Sequence, residues 1–235
     1  LLDAMFARRT YATSGPRIFL DVTMNGAPMG SDVTVTGTPS LEVVARGREP
    51  IWLAEVIKNG EVVHTWVNEE VADSDELTIL WRNWLIPDEF DRNDPDSRFR
   101  LPRVTWNGDI TVSGAALAGH TRRSFHHPKD AVLEHTTDRV SFTSYTRGDF
   151  DGMTLAFDDL DVVSSVAFDT NIASLTVDPG DIGGVYDWRK IDERTDIVII
   201  KGRPSDATVR FNYRDSDFDR SEERRVGEEC ATGCR

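Results

Sequence analysis

Residues 51–67 read Ile51-Trp52-Leu53-Ala54-Glu55-Val56-Ile57-Lys58-Asn59-Gly60-Glu61-Val62-Val63-His64-Thr65-Trp66-Val67. Two runs rich in β-branched and aromatic residues flank an Asn-Gly pair. Both turn residues tolerate positive φ, which a two-residue hairpin loop demands, so the stretch predicts a β-hairpin whose register the turn fixes. On that register Lys58 faces Glu61, Val56 faces Val63 and Glu55 faces His64. One face then carries Trp52, Ala54, Val56, Val63, Thr65 and Val67 and suits a core. The other carries Leu53, Glu55, Ile57, Val62, His64 and Trp66 and suits a partly wet surface.

The same pattern extends outward in both directions. Upstream, 17–24 alternates as a strand and ends at Asn25-Gly26, and 33–36 and 41–46 read as short strands separated by the turn residues Gly37-Thr38-Pro39-Ser40. Downstream, 77–84 reads as a strand, and 103–112 repeats the hairpin pattern around Asn107-Gly108. Further β runs fall at 140–145, 153–157, 162–169, 173–177, 196–200 and 207–213. Short strands at roughly eight-to-twelve-residue spacing, with turn signals between them, predict a mostly β chain folded as an antiparallel β-sandwich, Ig-like or jelly-roll-like. The exception is the start. Leu1, Leu2, Met5 and Phe6 share one helical face, with Asp3 early and Arg8 and Arg9 late, as the helix dipole prefers, so a short N-terminal α-helix precedes the strands. No repeat of fixed length is present.

Composition narrows the partners. Across 235 residues, 27 Lys and Arg stand against 41 Asp and Glu, a net charge of −14. Such a surface repels nucleic acid and anionic lipid, whose phosphates require clustered basic residues. No apolar run is long enough to span a bilayer and no signal segment is present. The last residues, from Arg220, read RSEERRVGEEC. They resemble a translated sequencing adapter, and 220–235 is read as an artefactual or disordered tail and set aside from the fold, with a short charged natural tail as the alternative. Cys230 and Cys234 both lie there, so 1–219 has no cysteine, and redox compartment is not legible. Cytoplasm and periplasm both stay open.

The junction LLDAMFARRTYATSGPRIFLDVTMNG, 1–26, resembles one found in bacterial PHP-like proteins. PHP denotes the polymerase and histidinol phosphatase class of metal-dependent hydrolases, and the family concerned is domain of unknown function 3604. Two further pieces are similar to that family: the Trp-Asn-Gly-Asp-Ile-Thr-Val-Ser-Gly run at 106–114 and the strand-then-glycine stretch at 138–152. The resemblance implies that 1–15 is the end of an upstream α/β hydrolase domain and 16–219 an accessory β domain. It further implies that the divalent metal and its ligands belong to that upstream domain, the expected partner within the same polypeptide. No cofactor or catalytic residue is then expected in this chain. The reaction would be hydrolysis of a phosphoester or related bond in an unidentified small-molecule substrate. Only the junction transfers: the resemblance puts Tyr11, Thr13, Ser14 and Arg17 near the mouth of the α/β barrel that forms the upstream domain in that family.

Those four residues have a chemical rationale, since arginine grips phosphate or carboxylate in a bidentate manner. Ser14-Gly15-Pro16 serves equally well as plain punctuation between a helix and a strand. Two other clusters are candidates for metal. His120, His126 and His127, with Asp130, Glu134 and His135 nearby, offer imidazoles for a transition metal, but at no zinc-motif spacing, and Gly119 and Pro128 mark the stretch as a loop. Asp91, Asp94 and Asp96, in the acidic Pro-rich stretch 87–102, offer oxygens for calcium without the EF-hand order. Among the tryptophans, Trp52 and Trp106 are expected in the core, and Trp66 and Trp84 are open. An exposed aromatic pair would favour the alternative function, a free-standing module binding carbohydrate or another ligand. No glycine-rich phosphate loop, Gly-x-Ser-x-Gly elbow or dinucleotide fingerprint occurs.

Overall fold

The computed structural model describes residues 2–13, 17–59, 61–69, 71–83 and 103–218. One helix, α1 (Leu2–Phe6), leads into strands β1 (Phe19–Met24), β2 (Ala27–Pro28), β3 (Ser40–Arg46), β4 (Leu53–Lys58), β5 (Glu61–Val67) and β6 (Val71–Asn83). There follow β7 (Val104–Ser113), β8 (Leu117–Arg123), β9 (Ala131–His135), β10 (Arg139–Thr146) and β11 (Asp151–Phe157). The chain continues through β12 (Ser165–Thr170), β13 (Ser174–Val177), β14 (Tyr186–Lys190), β15 (Thr195–Pro204) and β16 (Thr208–Arg214), with short 3-10 turns at Leu160–Val162 and Pro179–Asp181. The fold is mostly β with antiparallel pairing, as the alternation of the sequence predicts. Within the stretch read from sequence as one domain, the chain sorts into two compact units, one from Leu1–Glu70 with Pro204–Arg235 and one from Val71–Arg203.

The first unit holds a four-stranded sheet in the order β16-β3-β1-β2 and the β4-β5 hairpin. Asn25 and Gly26 turn between β1 and β2 with φ of 48° and 80°, the left-handed geometry for which their types are suited. The β4-β5 hairpin forms with Asn59 at φ 59° and Lys58 opposite Glu61. Beyond the turn, however, the register differs from the simple alternation. A β-bulge inserts one residue, so Val56 faces His64 rather than Val63, and Glu55 faces Thr65 rather than His64. A bulge reverses which face each later side chain takes. His64 thereby meets the rings of Phe211 and Tyr213 on β16, at centroid distances of 5.2 and 5.4 Å. Residues 33–36, expected as a strand, are irregular.

Helix α1 ends sooner than its Gly-Pro punctuation suggests. Arg8 takes φ 56°, its N–H bonds the Met5 carbonyl at 3.0 Å, and the Arg9 N–H bonds the Ala4 carbonyl at 2.8 Å. That pair of bonds is a Schellman motif, with arginine where glycine is usual. The helix end rests against Gly30, whose φ is 87°; a Cβ there would fall 2.8 Å from the Arg8 carbonyl and closer still to that of Ala7. Arg8 also pairs with Asp32 at 3.0 Å.

The second unit has the two layers of a β-sandwich: sheet β13-β12-β7-β10-β9 and sheet β14-β15-β6-β11-β8. Its core draws on both, with Leu77, Ile79 and Trp81 from β6, Trp106 and Ile110 from β7, Phe142 from β10, Leu155 from β11, Phe168 from β12 and Ile197 from β15. Trp81 lies 4.6 Å from Phe142 and 5.2 Å from Phe168, centroid to centroid. The expected hairpin at Asn107-Gly108 is absent: β7 runs straight through it. Gly108 serves close approach instead. Its missing side chain lets the end of β12, Asp169 and Thr170, lie close against the strand, and in the turn that follows Asn171 accepts from Asn107 N–H at 2.7 Å, donates its own N–H to the Asn107 carbonyl at 3.0 Å, and donates from Nδ2 to the Thr105 carbonyl at 3.0 Å.

Candidate functional site

Tyr11, Thr13 and Arg17 are exposed, and the Tyr11 hydroxyl accepts the Leu20 N–H at 3.3 Å, which ties it to the start of β1. Ser14 lies outside the described residues, as do Asp91, Asp94 and Asp96. Helix α1 exposes its apolar side chains: Leu2 is 67%, Met5 56% and Phe6 85% exposed. Contact with the first unit comes instead from the helix end, through Gly30 and Asp32.

The histidines do not form one cluster. His120 sits on strand β8, not in a loop, and packs edge-on against His135 at the end of β9, 4.6 Å between centroids. β8 and β9 are the outer strands of the two sheets, so the pair lies where one edge of the sandwich meets the other. Partial burial, then the His135 and Arg122 charges, lower the His120 pKa. His127 instead packs at a tilt against Tyr145, 4.6 Å between centroids, and His126 is exposed. Among the described residues no three His, Cys, Asp or Glu side chains converge to hold a metal ion.

A polar cluster that the sequence reading missed occupies one end of the second unit's core. On β10 the residues at every second position, Val140, Phe142, Ser144 and Thr146, are all buried. The first two are apolar and the last two carry hydroxyls, so the core changes character along one strand. Each hydroxyl meets a buried indole: Trp81 Nε1 donates to Ser144 at 2.9 Å, and Trp106 Nε1 donates to Thr146 at 2.9 Å. Thr146 continues to the Asn83 carbonyl at 3.2 Å, and Asn83 Nδ2 donates to Thr195 at 2.6 Å. Buried indole N–H groups require such acceptors, and here paired hydroxyls supply them.

Asp151 begins β11 opposite Trp81 and is 1% exposed. It is hydrogen-bonded by the Ser144 side chain and the Tyr145 backbone, yet its carboxyl pKa is pushed up to about 8, by burial first and then by the charge of Asp130. Asp130, 9% exposed, accepts the His127 N–H at 2.6 Å through Oδ2. Oδ1 of Asp130 and Oδ2 of Asp151 are buried without hydrogen-bond partners.

On the neighbouring strands a buried ion pair lies in a different setting. Arg82 reaches Asp196 Oδ2 through Nε at 2.8 Å and Nη2 at 2.7 Å, while Trp188 Nε1 donates to the other oxygen at 3.3 Å. The guanidinium lies over the Phe150 ring at 4.4 Å. A third polar array crosses the outer face of the β7 sheet, where Ser174, Asp169, Asp109, Ser141 and Glu134 stand in register on five successive strands. Two aspartates directly opposed repel; Ser174 bonds Asp169, Ser141 bonds Asp109, and Arg139 pairs with Glu134, which offsets that cost within the row.

The tryptophans differ in burial. Trp81 and Trp106 are fully buried, Trp52 and Trp66 half-buried, and Trp84 is outside the described residues.

Three longer proteins are similar to part of the chain. An uncharacterized protein of Chlamydia pneumoniae is 42% identical over 124 residues, covering 50% of this chain and 19% of that protein. Uncharacterized proteins of Chlamydia muridarum and Chlamydia trachomatis are each 33% identical, over 87 and 72 residues, covering 14% and 12% of their own lengths. The chain thus spans less than a fifth of the curated relatives it matches. No family model and no solved structure matches it.

Proposed function

We propose that this chain is the accessory β region of a larger PHP-like metal-dependent hydrolase, whose metal and catalytic groups reside in an upstream α/β domain. The observation that carries the reading is α1. Leu2, Met5 and Phe6 stand open to solvent while the helix end is anchored on Gly30 and Asp32. An apolar helix face held out in this way suits burial against another domain. The TYATSGPR-like run after it, and relatives several times longer than the matched region, support the same assignment. The β region would wall the substrate cleft, with Tyr11 and Arg17 at its rim, and hydrolysis would use water activated by the upstream metal.

The test uses the full-length polypeptide and residues 1–219 side by side, each assayed on p-nitrophenyl phosphate with added divalent metal. The full-length protein should turn over and 1–219 should not. Leu2→Asp with Phe6→Asp in the full-length protein should leave the β region folded but make the junction cleavable by protease. Turnover by 1–219 alone, or a full-length chain with no metal-ligating His, Asp and Glu set before residue 1, refutes the reading.

A further inference from the structure

We infer that His120 and His135 are the two protein ligands of a divalent transition-metal site, for nickel(II) or copper(II), that joins the two sheets at one open side of the second unit's sandwich. Strand pairing places them. His120 lies opposite Leu155 of β11, and His135 lies opposite Val140 of β10. Leu155 and Val140 are core residues. Directly opposed residues share one face of a sheet, so both imidazoles turn inward, one from each layer. The strands that carry them are tied together nearby: the Leu117 N–H at the start of β8 donates to the Thr137 carbonyl just after β9, at 2.7 Å. Among the described residues neither ring hydrogen-bonds to the protein. His127, by contrast, commits its Nδ1 to the Lys129 N–H. Two adjacent imidazoles with uncommitted nitrogens form a chelating pair, because neutral imidazole is a metal ligand through either nitrogen.

The distance between the rings selects the metal. Imidazole nitrogen binds such ions at about 2.0–2.1 Å and lies about 1.1 Å from its ring centre, so each centroid sits about 3.2 Å from a bound ion. Two rings on one ion are then about 4.5 Å apart at a right angle and about 5.2 Å apart at the tetrahedral angle. The observed separation is 4.6 Å. It matches two adjacent corners of a tetragonal ion, the preference of copper(II) and nickel(II), over tetrahedral zinc. The rings now meet edge to face. His135 is exposed, and turning its ring about the Cβ–Cγ bond re-aims a nitrogen while leaving the centroid nearly in place. Burial, then the charges of His135 and Arg122, lower the His120 pKa and so favour the neutral form that ligates. Arg122 is exposed, so its repulsion of an ion is screened. Glu134, beside His135, is paired with Arg139 and stays outside the ligand set. No third His, Cys, Asp or Glu converges among the described residues, so water completes the shell. The ion would link two edge strands that no backbone ladder joins.

The experiment titrates nickel chloride into the full chain at neutral pH and follows binding by calorimetry. Cys230→Ser and Cys234→Ser are present throughout, so that the tail thiols do not compete. One nickel should bind per chain. His120→Gln and His135→Gln should each weaken it by more than the roughly tenfold that loss of an outer-shell contact costs, and His126→Gln should leave it unchanged. Should His120→Gln fail to fold, the exposed His135 still supplies a variant. Nickel should also slow amide exchange of β8 and β9 in the parent and not in His135→Gln, which an ion bound elsewhere on the surface would not do. Copper(II), added below one equivalent, should show two nitrogen ligands by electron paramagnetic resonance in the parent and one in His135→Gln. Equal nickel affinity in His135→Gln and the parent overturns the inference, as does loss of binding in His126→Gln. Magnesium binding as tightly as nickel also overturns it, because it marks an adventitious ion only, held by an acidic surface.

Discussion

Replacing Gly108 with alanine should cost the second unit about 3 kcal/mol. A Cβ at this position would stand 2.5 Å from Thr170 Cγ2 and 2.8 Å from Thr170 Cα, and nearer still to the Asp169 carbonyl oxygen. Carbon atoms settle at about 3.5–4.0 Å, so the end of β12, and with it the turn that carries Asn171, must retreat by about 1 Å. The Asn171 bonds to Asn107 and Thr105, now 2.7 to 3.0 Å long, would stretch beyond useful hydrogen-bond length. Three such bonds at about 1 kcal/mol each give the stated loss, within the range seen for overpacked interiors. Gly119→Ala is the control: it too lies in a strand, and an added Cβ there meets nothing within 4 Å, so its effect should stay within about 0.5 kcal/mol. Urea unfolding of the full chain, with exchange of β7 and β12 amides to locate the loss, measures both. If Gly108→Ala costs less than about 1 kcal/mol, or no more than Gly119→Ala, the close-approach account of this glycine is wrong.

Two further outcomes follow from buried charge. Arg82→Met strands the Asp196 carboxylate and should cost about 3–5 kcal/mol, whereas Arg82→Met with Asp196→Leu should recover much of it; equal thermal stability of the single and double variants would dismiss the pair's role. His120 has a lowered pKa, so its neutral form is the native one. The native state should weaken as pH drops below about 6.5, and His120→Gln should flatten that dependence in thermal unfolding between pH 5 and 7. An unchanged slope would mean that the His120–His135 edge contributes nothing to acid sensitivity.

The β character of the chain was legible because most strands declare themselves by period and composition. β10 alternates cleanly, and 51–67 names its own turn. The elements that escaped are edge strands. β8 reads Leu-Ala-Gly-His-Thr-Arg-Arg and β9 is mostly exposed, so partners on one side define them more than composition does. Asn107-Gly108 misled because the same pair suits a turn and a crowded strand, and only the distant Asn171 distinguishes the two. Val63 was misplaced by a bulge that no local signal announces. Asp151 was hidden by its context, because Gly-Asp-Phe-Asp-Gly resembles a solvated turn. One signal was available. Ser144 and Thr146 continue the inward register of Val140 and Phe142, so a polar lining at that end of the core could be read from β10 alone.

The first unit is assembled from both ends of the chain, with β3 flanked by β1 on one side and β16 on the other. Between Arg46 and its partner Thr208 lies the whole second unit. Closing so long a loop is entropically slow, whereas the pairings within 71–203 span shorter separations. During synthesis the ribosome must therefore release Thr208–Arg214 before one flank of β3 finds its neighbour. Until then β3 is an open template, and the inserted sandwich has a head start of many residues over the sheet that brackets it.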